Sequence, residues 1–495
     1  MAVYLKWGAH DSRNFNLAFL LFGLALAKGA LLLALGPVHA PDSIGYVRYA
    51  EAILNGHEWL SVVDIEKNFY QPLTAFRMIG YPALIAFIKL ISPTYWDWLL
   101  VAFQFALSLL STAIVYHLAI RISKSGKLAL FSALAHGVGQ TIAMDQCILT
   151  DSLNASLLVI VAGHIGIRIL DRHPPSIVEA AVLGFVVFVA FLFREAGSIL
   201  QYIYWPMIAY WVFVSQANRI RSIMILVAFA MPVFLGVQSY KGWNEARTGE
   251  RFITTSAQTA LFLPTIRVEE KGTSLVEKDE LLKDMGELAP LKSEHLMENV
   301  YRINKHLALD HGLNAVEIMN FGYTHFFRSW SNNAGIMARY TLSQFREKQA
   351  FLAFMPAESL SQLVYWSGRE RLFPAKGQLW QNVKEDLRID QLIMVVVRGL
   401  SRVFSILVSI AFLIGVPVAF LKQVTKNRAG LSNYDPPRVL AFLYWLAYFG
   451  YTLTYAMVSL EMRYLMPVEP FSMIIGITLL ISWARKVLHR RRVPA

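Results

Sequence analysis

The strongest constraint on this chain is the recurrence of apolar runs long enough to cross a bilayer. An α-helix needs about 20 such residues to span the hydrocarbon layer. Runs of that kind lie near 15–36, 99–120, 128–144, 152–170, 177–193, 198–215, 222–240, 403–421, 438–459 and 464–484. In lipid every backbone polar group must be satisfied within its own segment, so these runs fold as helices. The expected class is an all-α polytopic membrane protein with about ten transmembrane helices. The 495 residues are 56% hydrophobic and only 16% charged, which leaves little for a soluble body outside the membrane. The first run carries no small-residue cleavage pattern and reads as a retained span, not a signal peptide.

Charge placement gives an orientation. Short turns collect Arg121, Lys124 and Lys127, then Arg168 and Arg172, then Arg219 and Arg221, then Lys422, Lys426, Arg428 and Arg438. Basic turns of this kind stay on the cytoplasmic side. Both termini are then cytoplasmic. The net charge of +12 follows from these turns and does not point to nucleic acid. The pattern holds if the short run Met78–Ile91, which contains Pro82 and Lys89, is a juxtamembrane helix instead of a span. One cysteine, Cys147, excludes an internal disulfide framework and a cysteine metal cluster. The lack of disulfides and the lean turns fit a bacterial inner membrane.

Three regions result. Residues 1–240 form an N-terminal transmembrane module with a first outer loop at 37–98. Residues 241–390 are a charged insert punctuated by Gly and Pro, expected to be a small extracytoplasmic domain. Residues 391–495 form a C-terminal transmembrane module.

The outer loop opens with Pro41-Asp42-Ser43, where Asp42 or Ser43 has the chemistry of a helix N-cap. Tyr46, Tyr49, Ala50, Ile53 and Leu54 then repeat at helical spacing, and Asn55-Gly56 supplies a stop. That is an amphipathic helix lying on the membrane surface. Topology puts Asp42, Arg77, Asp145, Asp151, Arg194, Glu195 and Arg463 on the same outer side. Solvation or helix anchoring accounts for any one of them; the collection is harder to explain that way.

Four short patterns occur in order: Asp42, Tyr46, Ala50 and Gly56; Arg77, Gly80, Tyr81 and Pro82; Thr150, Asp151 and Leu153; and Arg463, Tyr464 and Pro467. Together they resemble the GT-C superfamily of polyprenyl-phosphate-sugar glycosyltransferases, which includes protein O-mannosyltransferases and the aminoarabinose transferase acting on lipid A. The resemblance covers roughly residues 10–240 and 400–475 and leaves out the insert. Many relatives carry Asp-Glu at the first pattern, whereas Asp42 is followed by Ser43. The supporting acid must then come from elsewhere, with Glu51, Asp151 and Asp145 as candidates.

The resemblance implies a GT-C-like fold and transfer of a sugar from a polyprenyl-phosphate donor to an extracytoplasmic acceptor: a glycolipid, lipopolysaccharide, polysaccharide or protein. Asp42 would be the base, inverting the anomeric carbon. A carboxylate at bilayer depth is expected to have the raised pKa that a base needs. The leaving phosphate needs cations more than an acid, and guanidinium suits it. Arg463 and Arg194 are the first choices, with Arg77 and Tyr464 beside them. Arg398 and Arg402, one helical turn apart, are the second choice. No cofactor is expected; a divalent metal between Asp42 and Asp151 is the disfavoured alternative. The rival functions are a transporter or flippase, or an O-antigen polymerase or ligase. His136 and His164 read as packed polar residues, and His295, His306, His311 and His325 show no tight ligand spacing.

Overall fold

The computed structural model describes residues 12–56, 73–195, 197–215, 218–269, 279–282, 285, 296–348, 354–368, 389–426 and 435–491. The outer-loop stretch 57–72 and His295 lie outside the described residues. Within them the chain is helical, and the only β-type pairing is one parallel bridge. The helices are α1 (Ser12–Leu35), α2 (Ser43–Asn55), α3 (Leu73–Phe76), α4 (Gly80–Ile91), α5 (Trp96–Ser123), α6 (Gly126–Val138), α7 (Thr141–Met144) and α8 (Thr150–Leu170). They continue as α9 (Ile177–Phe193), α10 (Gly197–Ser215), α11 (Arg219–Thr248), α12 (Ala257–Ala260), α13 (Phe262–Glu269), α14 (Leu296–Leu309), α15 (Ala315–Lys348) and α16 (Pro356–Trp366). The last three are α17 (Ile389–Lys426), α18 (Pro436–Val458) and α19 (Glu469–Arg491).

Among the described residues seven helices are long and apolar enough to cross a membrane: α1, α5, α8, α11, α17, α18 and α19. Their outward faces are apolar too. Phe15, Phe19 and Leu33 on α1, and Leu400, Val403 and Leu407 on α17, are exposed on the isolated chain. Such faces belong against lipid, and the chain is a multi-pass helical membrane protein. α8 is buried on nearly all sides and forms the hub of the main apolar cluster with α5, α9, α10, α18 and α19. Helix contact relies on small residues. A Cβ added to Gly184 on α9 would sit 2.1 Å from the Phe229 carbonyl oxygen on α11. Backbones approach that closely only where the side chain is missing.

Two expectations change. The run at 128–144 is not one span: α6 ends at Val138, the chain breaks at Gly139, and the four-residue α7 follows. The segment turns inward instead, so that Ala143, Met144 and Asp145 are buried. The boundary at 240 also moves, because α11 runs on through Pro232 to Thr248. The reading of Met78–Ile91 as a short helix fits, with α4 only 12 residues long.

The segments around α2, α4 and the start of α8 have their own packing. Val38 pairs in parallel with Cys147, through Val38 N–H to the Gln146 carbonyl (3.0 Å) and Ile148 N–H to the Val38 carbonyl (2.9 Å). This bridge ties the chain entering α2 to the chain entering α8. Tyr46, Ala50, Tyr81, Ile85, Ile148, Leu153 and Leu363 make a second apolar cluster. The insert has a third, with Phe262, Ile266, Leu282, Val300, Ile303 and Leu307. α16 joins the second cluster through Leu363 and packs on α7 and α17.

Candidate functional site

Asp42 precedes α2 but does not cap it; its carboxylate makes no bond to the helix N-terminus. Ser43 does not cap either, since its hydroxyl donates to the Ile148 carbonyl (2.8 Å). That bond, with the Val38–Cys147 bridge, fixes the start of α2 against the start of α8. Gly56 ends α2 in the left-handed region, with φ of 76°. The Asp42 carboxylate is therefore left to other partners. Oδ1 accepts from Arg77 Nη2 (2.9 Å) and Oδ2 from Arg463 Nη2 (3.0 Å). These arginines lie 35 and 421 residues away along the chain.

Each arginine is held from several sides. Arg77 lies over the Tyr46 ring (4.8 Å) and donates to its hydroxyl (3.3 Å). Its turn is pinned by Thr255 N–H donating to the Ala75 carbonyl (2.9 Å). The following Gly80 is required by packing, because a Cβ there would meet the Leu192 carbonyl oxygen at 2.5 Å. Tyr81 next to it donates to Gln104 Oε1 (2.9 Å), and Gln104 Nε2 donates to the carbonyls of Asp145 (2.8 Å) and Cys147 (3.0 Å). The Arg-x-x-Gly-Tyr stretch is thus a clamp joining α4, the end of α9 and the turn before α8.

Arg463 sits in a 3-10 turn, Met462–Leu465, between α18 and α19. Its Nε donates to Glu461 (2.7 Å), and Nη1 stands 3.8 Å from Asp151 Oδ2. Asp151 is buried in the first turn of α8, where its other oxygen is held by Arg194 at the end of α9. Tyr464 lies beside both cations, its ring 4.1 Å from the Arg194 guanidinium and 5.4 Å from that of Arg463. Tyr455 packs against Tyr464 at 4.7 Å. Asp42, Arg77, Asp151, Arg194, Arg463 and Tyr464 therefore come from five parts of the chain into one contiguous network. The guanidinium of Arg463 lies between Asp42 and Asp151.

The expected raised pKa at Asp42 is overturned. Burial pushes it up, but the charges and hydrogen bonds of Arg77 and Arg463 outweigh that and hold it at about 2. The group stays ionised at any physiological pH.

Other candidate residues go elsewhere. Asp145 is fully buried, accepting from Lys28 Nζ (2.5 Å) and from the Ser152 hydroxyl (2.6 Å), so its carboxylate faces α1. Glu51 pairs with Lys89 (2.9 Å) on the outside of the α2–α4 pair. Arg398 and Arg402 flank the buried Glu358 of α16 at 3.5 and 3.4 Å. These four do not join the Asp42 network. Residues the sequence reading missed are Glu461 and Lys28. A lone lysine inside an apolar run was the available signal for Lys28, since such charges need a partner. His136 bonds the Ser111 hydroxyl (3.0 Å) and His164 bonds Glu179 (2.7 Å), as packed polar residues do. His306 and His311, which show no tight ligand spacing in sequence, are in contact, with Nε2 atoms 3.2 Å apart.

The insert reaches the network. Ser256 donates to Glu195 (2.7 Å). Burial raises the Tyr301 hydroxyl pKa, Asp42 adds to the rise and Arg77 opposes it, so α14 lies within electrostatic reach of both. Tyr323 on α15 is raised by burial and by Glu195 in the same way.

No protein-family model matches the chain, and no curated protein matches it.

Proposed function

We propose that the chain is a membrane glycosyltransferase that moves a sugar from a polyprenyl-phosphate donor to an extracytoplasmic acceptor. The observation that carries the reading is the Asp42 carboxylate held between Arg77 and Arg463 beside a second acid–arginine pair. That set has the two parts that the transfer needs. A carboxylate takes the proton of the acceptor hydroxyl as its oxygen bonds to the anomeric carbon. Guanidinium groups receive the phosphate oxygen as the carbon–oxygen bond breaks and charge collects on the lipid phosphate. Attack opposite the phosphate inverts the anomeric carbon.

The low pKa of Asp42 becomes part of the mechanism. In the resting network Asp42 pairs with Arg77 and Arg463, Asp151 with Arg194, and Glu461 with Arg463. A donor phosphate bidding for Arg463 or Arg77 draws that cation off the carboxylate. Asp42 then loses one of the charges that depress its pKa and becomes a better proton acceptor once the donor is bound. Tyr46 and Tyr464 keep the guanidinium planes oriented meanwhile.

About ten spans, cytoplasmic termini and an outward-facing site complete the proposal. A bacterial inner membrane is the proposed location. The test is Asp42→Asn in membranes supplied with a panel of polyprenyl-phosphate sugars, with transfer read by mass spectrometry. Turnover should fall roughly 10²–10⁴-fold while expression and donor-lipid binding persist. Normal turnover in a well-folded Asp42→Asn protein would remove the base assignment. If no donor in the panel gives transfer by the wild type but the lipid binds and crosses the bilayer, the flippase reading takes its place.

A further inference from the structure

We propose that part of the insert is embedded in the bilayer: the second half of α15 and helix α16 enter the lipid layer beside α17 and α18, with Leu342 of α15 set among acyl chains. The inference stands whether or not the chain transfers a sugar.

The spans supply a depth scale. α17 and α18 are antiparallel neighbours: Phe420 stacks on Phe442 (3.9 Å), Trp445 donates to the Leu413 carbonyl (3.1 Å), and Phe412 meets Tyr448 (5.3 Å). The start of α17 therefore lies beside the end of α18. α15 changes direction at Asn333, where φ of −133° and ψ of 36° are not helical. Its first half packs within the insert, with Phe321 against Phe262 (6.0 Å). Its second half packs on α18. Met337 shares a cluster with Met457 and Val458, the Tyr340 hydroxyl donates to the Val458 carbonyl (3.0 Å), and Phe345 meets Phe449 (5.9 Å). This limb runs inward from the end of α18. Phe449 lies about 13 Å of helix inside the Val458 end. Half the hydrocarbon core is about 15 Å.

The chain returns along α17. Phe354 N–H donates to the Ser405 hydroxyl oxygen (2.9 Å), and that hydroxyl donates to the Phe354 carbonyl (2.8 Å). The Phe354 and Phe404 rings meet at 6.0 Å. Ser405 is fully buried and lies within the apolar stretch Val395–Thr425 of α17. Arg398, about two turns nearer the start of α17, donates to the Ser361 hydroxyl (2.9 Å). Leu363 then joins the cluster that holds Met144 and Ile148. α16 therefore rises where the second half of α15 descends. Non-helical backbone at membrane depth must be satisfied inside the protein. One serine does this for both polar groups of Phe354, and Met355 beside it is buried.

The composition of the limb fits lipid. On the second half of α15 Thr341 and Gln344 are buried, while Leu342 is 64% exposed. A helix facing water turns its polar residues outward instead. Around the same level the spans are open at Leu446 and Phe449 of α18 and at Val403, Ile406 and Leu407 of α17. Leu342 continues that apolar surface. Arg339 and Arg346 are exposed as well. Helical side chains lean towards the N-terminus, which here is the end nearer the interface. Arg339 Nε already bonds back to the Gly335 carbonyl (3.2 Å). Both arginines extend in this way towards the lipid headgroups while the limb stays in hydrocarbon.

The test uses the full chain in phosphatidylcholine vesicles. Cys147 is fully buried, so the unsubstituted protein serves as the labelling blank. A nitroxide on Leu342→Cys is compared with one on Leu446→Cys in α18 and one on Asp310→Cys, an exposed position after α14. Oxygen, which concentrates in lipid, should relax the label at 342 and at 446 more than a water-soluble nickel chelate does, and the order should reverse at 310. A label at 342 that ranks with the one at 310 overturns the proposal. A second measurement needs no substitution. Phosphatidylcholine with a diazirine in its acyl chain is photolysed, and the labelled peptides are mapped by mass spectrometry. The 336–346 stretch of the wild type should be labelled as α18 is; a labelled α18 beside an unlabelled 336–346 stretch overturns the proposal equally. For the returning limb, Ser405→Ala should speed exchange of the Phe354 amide roughly 2- to 10-fold in hydrogen–deuterium exchange. An unchanged rate removes α16 from its place against α17 in the lipid layer.

Discussion

At Asp42 the same two guanidinium groups that mark the site also hold the carboxylate in its weakest basic state, and this has a measurable sign. With the free-protein pKa at about 2, below the ordinary carboxylate value, the ion pairs stabilise the fold at all pH values above that ordinary range. Their contribution is lost as pH falls towards 2, when the folded-state carboxylate finally takes a proton. On the proposed mechanism a donor phosphate competes for the arginines, and the carboxylate in the donor complex should then titrate higher. The pH profile of kcat/KM reports the free protein and that of kcat the complex. The acid limb of kcat should therefore lie at higher pH than that of kcat/KM, as read from transfer rates in buffered membranes at saturating and limiting donor. Coincident acid limbs would mean that Asp42 keeps both arginines throughout the cycle and does not act as the base. Replacing Arg463 with lysine removes the two-pronged contact to Asp42 and Glu461 and keeps the charge.

Elements place these side chains through contacts far from the network. Lys28 lies in the middle of α1, nearly all of whose other side chains face lipid or apolar neighbours, and reaches Asp145 in the turn after α7. Asp145 also accepts from Ser152 in α8, and its carbonyl accepts from Gln104 in α5. One buried ion pair thus joins four elements just below the site. Asp145→Asn leaves a buried ammonium without its counter-charge, which typically costs about 3–5 kcal/mol. The expected result is a lower unfolding temperature, with most of the loss recovered in Lys28→Met/Asp145→Asn. Thermal unfolding in detergent, followed by tryptophan fluorescence, measures both. If the double variant is no more stable than the single one, Lys28 is not the uncompensated group. Helix existence was legible in the sequence because long apolar runs admit one solution in lipid. The break at Gly139 was not, since the run 128–144 is apolar whether it crosses a bilayer or turns into the protein. Helix α2 was legible from its period. The capping role read for Asp42 and Ser43 was not realised, because their partners on Arg77, Arg463 and Ile148 come from remote parts of the chain.

For the molecule as a whole, the candidate site lies where three bodies meet: the span bundle, the α2–α4 layer and the insert. Sequence patterns named residues of the first two, and Asp42, Arg77, Asp151, Arg194, Arg463 and Tyr464 do meet. The insert carried no pattern, so its part in the site had to come from tertiary contact. Thr255 and Ser256 reach Ala75 and Glu195, and Tyr301 and Tyr323 come within electrostatic reach of Asp42 and Glu195. Both tyrosines are 41% exposed, and the Tyr323 ring stacks on Phe327. An aromatic face next to a proton acceptor is suited to hold a sugar ring or hydroxylated acceptor by stacking. In the proposed reaction the donor lipid would instead engage the arginines, of which Arg194 at the end of α9 pairs with Asp151 of α8. Tyr301→Ala should then raise the KM for acceptor and leave donor-lipid affinity unchanged. Tyr301→Phe should behave as the wild type, because stacking needs the ring and not the hydroxyl. Steady-state transfer with each substrate varied in turn separates the two parameters. A Tyr301→Ala protein that loses donor affinity instead would move α14 to the lipid side of the reaction, and the insert would no longer serve as the acceptor's platform.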